Sequence, residues 1–100
     1  MSALAETTLV LPLEGELCIA ELPAVRRRID GAIAEGARDL VLDLTEASLV
    51  SAAALRVFDA TERRLVGLDG ALRLRNPRPL ARRVLEITGF DRLVEPDLAP

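Results

Sequence analysis

The segment LVLDLTEASLVSAAALRVF, residues 40–58, changes its hydrophobic period partway along. Leu40 to Leu44 are apolar apart from Asp43, the pattern of a short strand covered on both faces. From about residue 52 to residue 66, Leu55, Phe58 and Leu65 recur at helical spacing, with Ala54 and Thr61 beside them, so a helix follows the strand after a short turn. Ser51 stands at the start of that helix and is its natural N-cap, the hydroxyl accepting from a free backbone N–H. The helix opens Ser51-Ala52-Ala53-Ala54, a turn nearly empty of reactive groups. Yet the carboxyl ends of parallel strands are where ligands and partners tend to meet α/β domains.

Upstream, TTLVLPL (Thr7 to Leu13) is a strand with Leu9, Leu11 and Leu13 on one face and Thr8, Val10 and Pro12 on the other. Pro12 has no N–H to give to a ladder, so one edge is free near it. Glu14 to Glu16 interrupt the run, with Gly15 as a turn or bulge. Leu22, Val25, Ile29, Ala32 and Ile33 then repeat at helical spacing over about 22–35, with Pro23 in the first turn.

Downstream, Gly67 and Gly70 bracket the end of the second helix, and Ala71 to Arg75 alternate, Leu72 and Leu74 inward and Arg73 and Arg75 outward. A third helix from about Pro79 to Thr88 is expected to bury Leu80, Val84, Leu85 and Ile87, with Gly89 as its stop. Leu93 and Val94 read as a last short strand. The order β-α-β-α-β-α predicts one α/β domain over residues 1–100, a mostly parallel central sheet of about four strands with three or more helices.

Composition narrows the chemistry. Of 100 residues half are hydrophobic and only two are aromatic, so the core must be built mainly from Leu, Val, Ile and Ala. The thirteen basic residues are all arginine against sixteen acids, giving a net charge of −3. That balance, without Trp or Tyr, argues against nucleic acid as a partner. A single cysteine, Cys18, and no histidine rule out an internal disulfide, a Cys/His metal cluster and the Ser/His/Asp or Cys/His nucleophile systems. There is no Walker lysine. Asp43 with Glu46 or Asp59 is a carboxylate set that could converge, and solvated or capping roles are the favoured reading. No catalytic residue, metal or cofactor is expected, so the chain is read as not an enzyme. Lacking signal-peptide features or any apolar run near the ~20 residues of a span, it is expected to be cytoplasmic, without membrane insertion. Arg26, Arg27 and Arg28 fan around the first helix, and Arg73, Arg75, Arg78 and Arg82 read as ordinary charged surface.

The segment 40–58, preceded by EGELCIAELPAVRRRIDGAIAEG and followed by GALRLRNPRPLARRVLEITGFDRLVE, resembles the STAS domain family over about Thr7 to Val94. STAS is the fold of bacterial anti-sigma factor antagonists. The resemblance implies a protein that binds an anti-sigma factor with a kinase-like fold and so frees a sigma factor for transcription. In the family, phosphorylation of a serine at the start of the second helix breaks that complex, because it adds about −1.5 to −2 charge to a close-fitting interface. The family's Asp-Ser-Ser-Gly turn falls on Ser51, Ala52, Ala53 and Ala54, which puts the phosphoacceptor position on Ala53, without a hydroxyl. The Asp of the family's GELD motif falls on Cys18.

The implied function is a non-catalytic regulator that is not phosphorylated at the usual place; Ser51, two residues earlier, is the alternative acceptor, although a hydroxyl at the cap is not where the partner kinase normally finds its target. Its implied partner-binding surface comprises Cys18, Ser48, Ser51, Ala52, Ala53, Ala54 and Arg56. An accessory subunit of an ABC-type lipid transporter, which needs no such serine, is the alternative, and a nucleotide or lipid held near Cys18 and Ser51 is a third. The family usually has a further strand ahead of Thr7 to Leu13. With six residues there, an open sheet edge is expected, through which a homodimer could form.

Overall fold

The structure, a computed structural model, describes residues 8–96. Strands β1 (Thr8–Pro12), β3 (Asp39–Asp43) and β5 (Ala71–Arg75) form a parallel sheet in the order β1-β3-β5, with Leu9 opposite Leu40 and Leu40 opposite Leu72. Two short strands, β2 (Gly15–Leu17) and β4 (Ala47–Val50), make a second parallel pair. Leu13 N–H donates to Asp43 O and Gly15 N–H to Glu46 O, each 2.9 Å, so the second ladder runs on from the first. Three α-helices connect the strands: α1 (Leu22–Ala34), α2 (Ala52–Gly67) and α3 (Pro79–Thr88). Single 3-10 turns at Ile19–Glu21 and Phe90–Leu93 lead into α1 and out of α3.

The sheet is buried at its centre. Leu40, Val41 and Leu42 of β3 and Leu72 and Leu74 of β5 are buried, and α2 presses Ala54, Leu55, Val57, Phe58 and Leu65 into the core. α1 adds Val25, Ile29, Ala32 and Ile33 at the spacing read from the sequence. Thr61 is the buried polar residue of this layer, and its hydroxyl donates to Val57 O at 2.7 Å, which removes the cost of an orphaned group. One contact leaves no room for substitution: a Cβ on Gly70 would lie 1.8 Å from Arg38 O, the carbonyl that accepts from Ala71 N–H at the start of the β5 ladder.

Three expectations are corrected. Residues 14–16 and 45–50 were expected as interruption and turn, but β2 and β4 occupy most of that chain. Runs of three and four residues are too short to show a period, and Gly15, at φ 77°, introduces a register shift that breaks the alternation. Leu80 and Ile87 of α3 are 66% and 75% exposed, and the helix buries Ala81 and Leu85, with Val84 half-buried. Leu80, Val84 and Ile87 form an apolar stripe about a third of a turn from Ala81 and Leu85, and packing beside β4 and the following 3-10 turn covers the second stripe instead. Finally, Leu93 closes a 3-10 turn and only Val94 meets the sheet, through one parallel bridge to Leu74. β1 is an outer strand of the three-stranded sheet; the residues ahead of it, on which the expected open edge and homodimer depend, lie outside the described residues.

Candidate functional site

Parallel pairing of β2 with β4 sets Leu17 opposite Val50. The next residue of each strand, Cys18 and Ser51, is therefore a neighbour of the other where both strands give way to helical structure. Half-buried Cys18 opens the 3-10 turn, its carbonyl accepting from Glu21 N–H at 3.0 Å. Ser51 is in extended conformation (φ −84°, ψ 167°) and caps α2, as its position in the sequence predicts. Its Oγ accepts from Ala54 N–H at 3.1 Å and donates to Leu17 O at 2.7 Å. The hydroxyl is thus used in both directions, satisfying a free helix donor and fastening α2 to β2.

The first turn of α2 shows three degrees of burial: Ala52 exposed, Ala53 half-buried and Ala54 wholly buried. Ala53 borders a shallow groove of about 320 Å³ lined by Ile19, Leu22, Pro23, Arg26 and Arg56. Its floor is apolar, and Ile19 at its rim is 75% exposed, an unusual position for a branched aliphatic side chain.

Of the residues singled out in the sequence, Cys18, Ser51, Ala52, Ala53 and Arg56 gather at this end of the molecule. Ser48 is exposed on β4 and does not line the groove. Ala54 faces the core and offers a partner nothing to touch, a correction that follows from its place on the inner face of α2. Ile19, Pro23 and Arg26 were missed. Ile19 did leave a trace, as an isoleucine that precedes the helical repeat beginning at Leu22 and belongs to no strand face.

The carboxylates weighed as a catalytic set are engaged separately. The Thr45 hydroxyl, donating to Asp43 Oδ1 at 2.6 Å, holds the Asp43 carboxyl below the usual carboxylate range; burial opposes this, and Thr45 N–H and the Arg75 charge assist it. This arrangement closes the β3–β4 turn. Arg78 donates to Thr45 O at 2.9 Å and to Glu46 at 3.4 Å, and Asp59 pairs with Arg63. Among the described residues no three His, Cys, Asp or Glu side chains are grouped to hold a metal, and no helix is long and apolar enough to cross a membrane.

The family model of the STAS domain matches residues 3–99. Similar solved structures include the anti-sigma factor antagonist SpoIIAA in its unphosphorylated form, 26% identical with a TM-score of 0.78 over 88% of this chain and 77% of that one. The Bacillus cell fate determinant SpoIIAA in the phosphorylated form is 26% identical, with a TM-score of 0.71 over 89% of this chain and 81% of that one. An anti-sigma factor antagonist from Mycobacterium paratuberculosis is 25% identical, with a TM-score of 0.80 over 93% of this chain and 80% of that one. No curated protein gives a significant match to the sequence.

Proposed function

The chain belongs to the STAS domain family, and from that premise we propose that it is a non-catalytic regulator of the anti-sigma factor antagonist type. One observation carries the reading: in a chain built like SpoIIAA over 88% of its length, the small-residue start of α2 borders an apolar groove. Small side chains let a partner's backbone approach closely, so Ala53 suits a protein contact. The partner in this reading is an anti-sigma factor with a kinase-like fold, met in the cytoplasm.

Ala53 gives a kinase no hydroxyl. Ser51 is a poor substitute, because phosphorylation would remove the proton donated to Leu17 O and crowd the oxygen that caps α2. The surface therefore stays in its binding form, and control passes to the amount of protein present or to competition with a phosphorylatable antagonist.

The test uses purified kinase-fold anti-sigma factors from the source organism, with titration calorimetry for binding and labelled ATP for phosphoryl transfer. One of them should bind the wild type without labelling it. Ala53→Asp should weaken that complex at least about tenfold, since a buried unpaired charge costs more than the ~1.4 kcal/mol a tenfold change represents. Ala53→Ser should acquire label. Label on the wild type, or capture of a transporter ATPase with no anti-sigma factor bound, would overturn the reading.

A further inference from the structure

We propose that the groove beside Ala53 receives a protein segment presenting an apolar side chain flanked by carboxylates, so that the partner supplies the acid and this chain the base; this rests on the protein-binding reading above. The groove has an apolar floor and two guanidinium groups at its margin, Arg26 on α1 and Arg56 on α2. Both are exposed, and neither makes an ion pair or side-chain hydrogen bond among the described residues.

Their isolation has a structural origin. The carboxylate one helical turn beyond Arg26 is Asp30, which is bound to Arg64; the one beyond Arg56 is Asp59, which is bound to Arg63 at 3.1 Å. The acids in reach are thus taken by other arginines further along α2. Glu21, close in sequence to Ile19, lines a different groove of about 220 Å³ with Glu14 and Arg28. In a molecule of net charge −3, the groove beside Ala53 has, among the described residues, two arginines without an ion pair and no acid in its lining.

An occupant that answers both features needs an apolar anchor for the floor beside Ile19, Leu22 and Ala53, and negative charge for the margin. An inorganic anion would leave the apolar floor unused. A peptide segment with Asp or Glu around a Leu, Ile, Met or Phe uses both, and its carboxylates gain from guanidinium forks that match their geometry. Such rim charges set partner choice and association rate more than they set raw affinity.

The probe is a phage-displayed library of random peptides about twelve residues long, panned against the full chain. Enriched peptides should carry an apolar residue with at least two Asp or Glu nearby. Their affinity should fall about tenfold or more in the double variant Arg26→Glu/Arg56→Glu and weaken as salt is raised. Both side chains are exposed, and an unchanged thermal melt establishes that the variant is folded. Enrichment of basic or charge-neutral peptides, no enrichment, equal binding by the charge-reversed variant, or retention on phosphatidylglycerol vesicles in place of peptides overturns the proposal. An anti-sigma factor complex that survives the double reversal also overturns it, while leaving the antagonist reading intact. Acidic peptides captured by a chain that binds no anti-sigma factor support the groove's chemistry and sink the antagonist role.

Discussion

The two halves of α2 treat arginine in opposite ways. Toward the C-terminal half, Arg63 pairs with Asp59, Arg64 reaches across to Asp30, and Arg92 clasps Glu62 through two bonds of 2.6 and 2.9 Å while lying 5.9 Å from the centre of the Phe90 ring. At the N-terminal half, Arg56 and Arg26 line one apolar groove, and among the described residues neither makes an ion pair. Charges met from within the chain belong to the stability of the fold, whereas unmet charges beside an exposed Ile19 gain their value from outside it. The same residue type therefore serves two purposes, and the nearest free acid separates them.

Substitutions can break that division, and core loss should break it most. Phe58→Ala removes a fully buried ring from the middle of α2 and should destabilise the fold by about 3–5 kcal/mol in chemical denaturation, lowering binding only through the folded fraction. A smaller change at the junction of the two halves touches both properties. Ser51→Ala deletes the cap and the bond to Leu17, with an expected loss of about 1–2 kcal/mol. It should also raise hydrogen exchange at the first turn of α2, beside the groove, with little change at β5.

The ion pairs come next. Glu62 is held below the usual carboxylate range chiefly by the Arg92 hydrogen bond, against burial, and Asp43 by the Thr45 hydroxyl. Each binds its proton less readily folded than unfolded, so its contribution is complete above the ordinary carboxylate pKa and is lost as pH falls through the lowered value. Glu62→Gln should cost about 1 kcal/mol or less near neutrality, flatten the acid limb of the stability profile, and leave partner binding unchanged. The smallest effect on stability is expected at the other half: Arg56→Ala should shift unfolding by less than about 0.5 kcal/mol and still weaken an acidic partner. A stability loss in Arg56→Ala equal to that in Glu62→Gln would erase the distinction between the two halves.

Much of this architecture is legible in the chain. α1, α2, β3 and β5 stand within a residue or two of their expected bounds, because each carries enough apolar positions to display its own period. Ser51 as N-cap is equally local. The site was legible only in part. Its small-residue turn is read directly from residues 51–54 at the end of a strand and Cys18 comes from the family resemblance, whereas Ile19 and Arg26 join it through the 3-10 turn that leads into α1.

The sequence by itself determined the periodic elements, their order and the class of core, since these depend on residues a few positions apart. Only the tertiary structure decided that β2 and β4 pair, that α3 covers Ala81 and Leu85 and leaves Leu80 and Ile87 out, and which arginines are satisfied. Those outcomes rest on contacts such as Ser51 with Leu17 and Arg64 with Asp30, each 34 residues apart, and Arg92 with Glu62, 30 apart. No local pattern encodes a contact at that separation, because it exists only once the layers have closed.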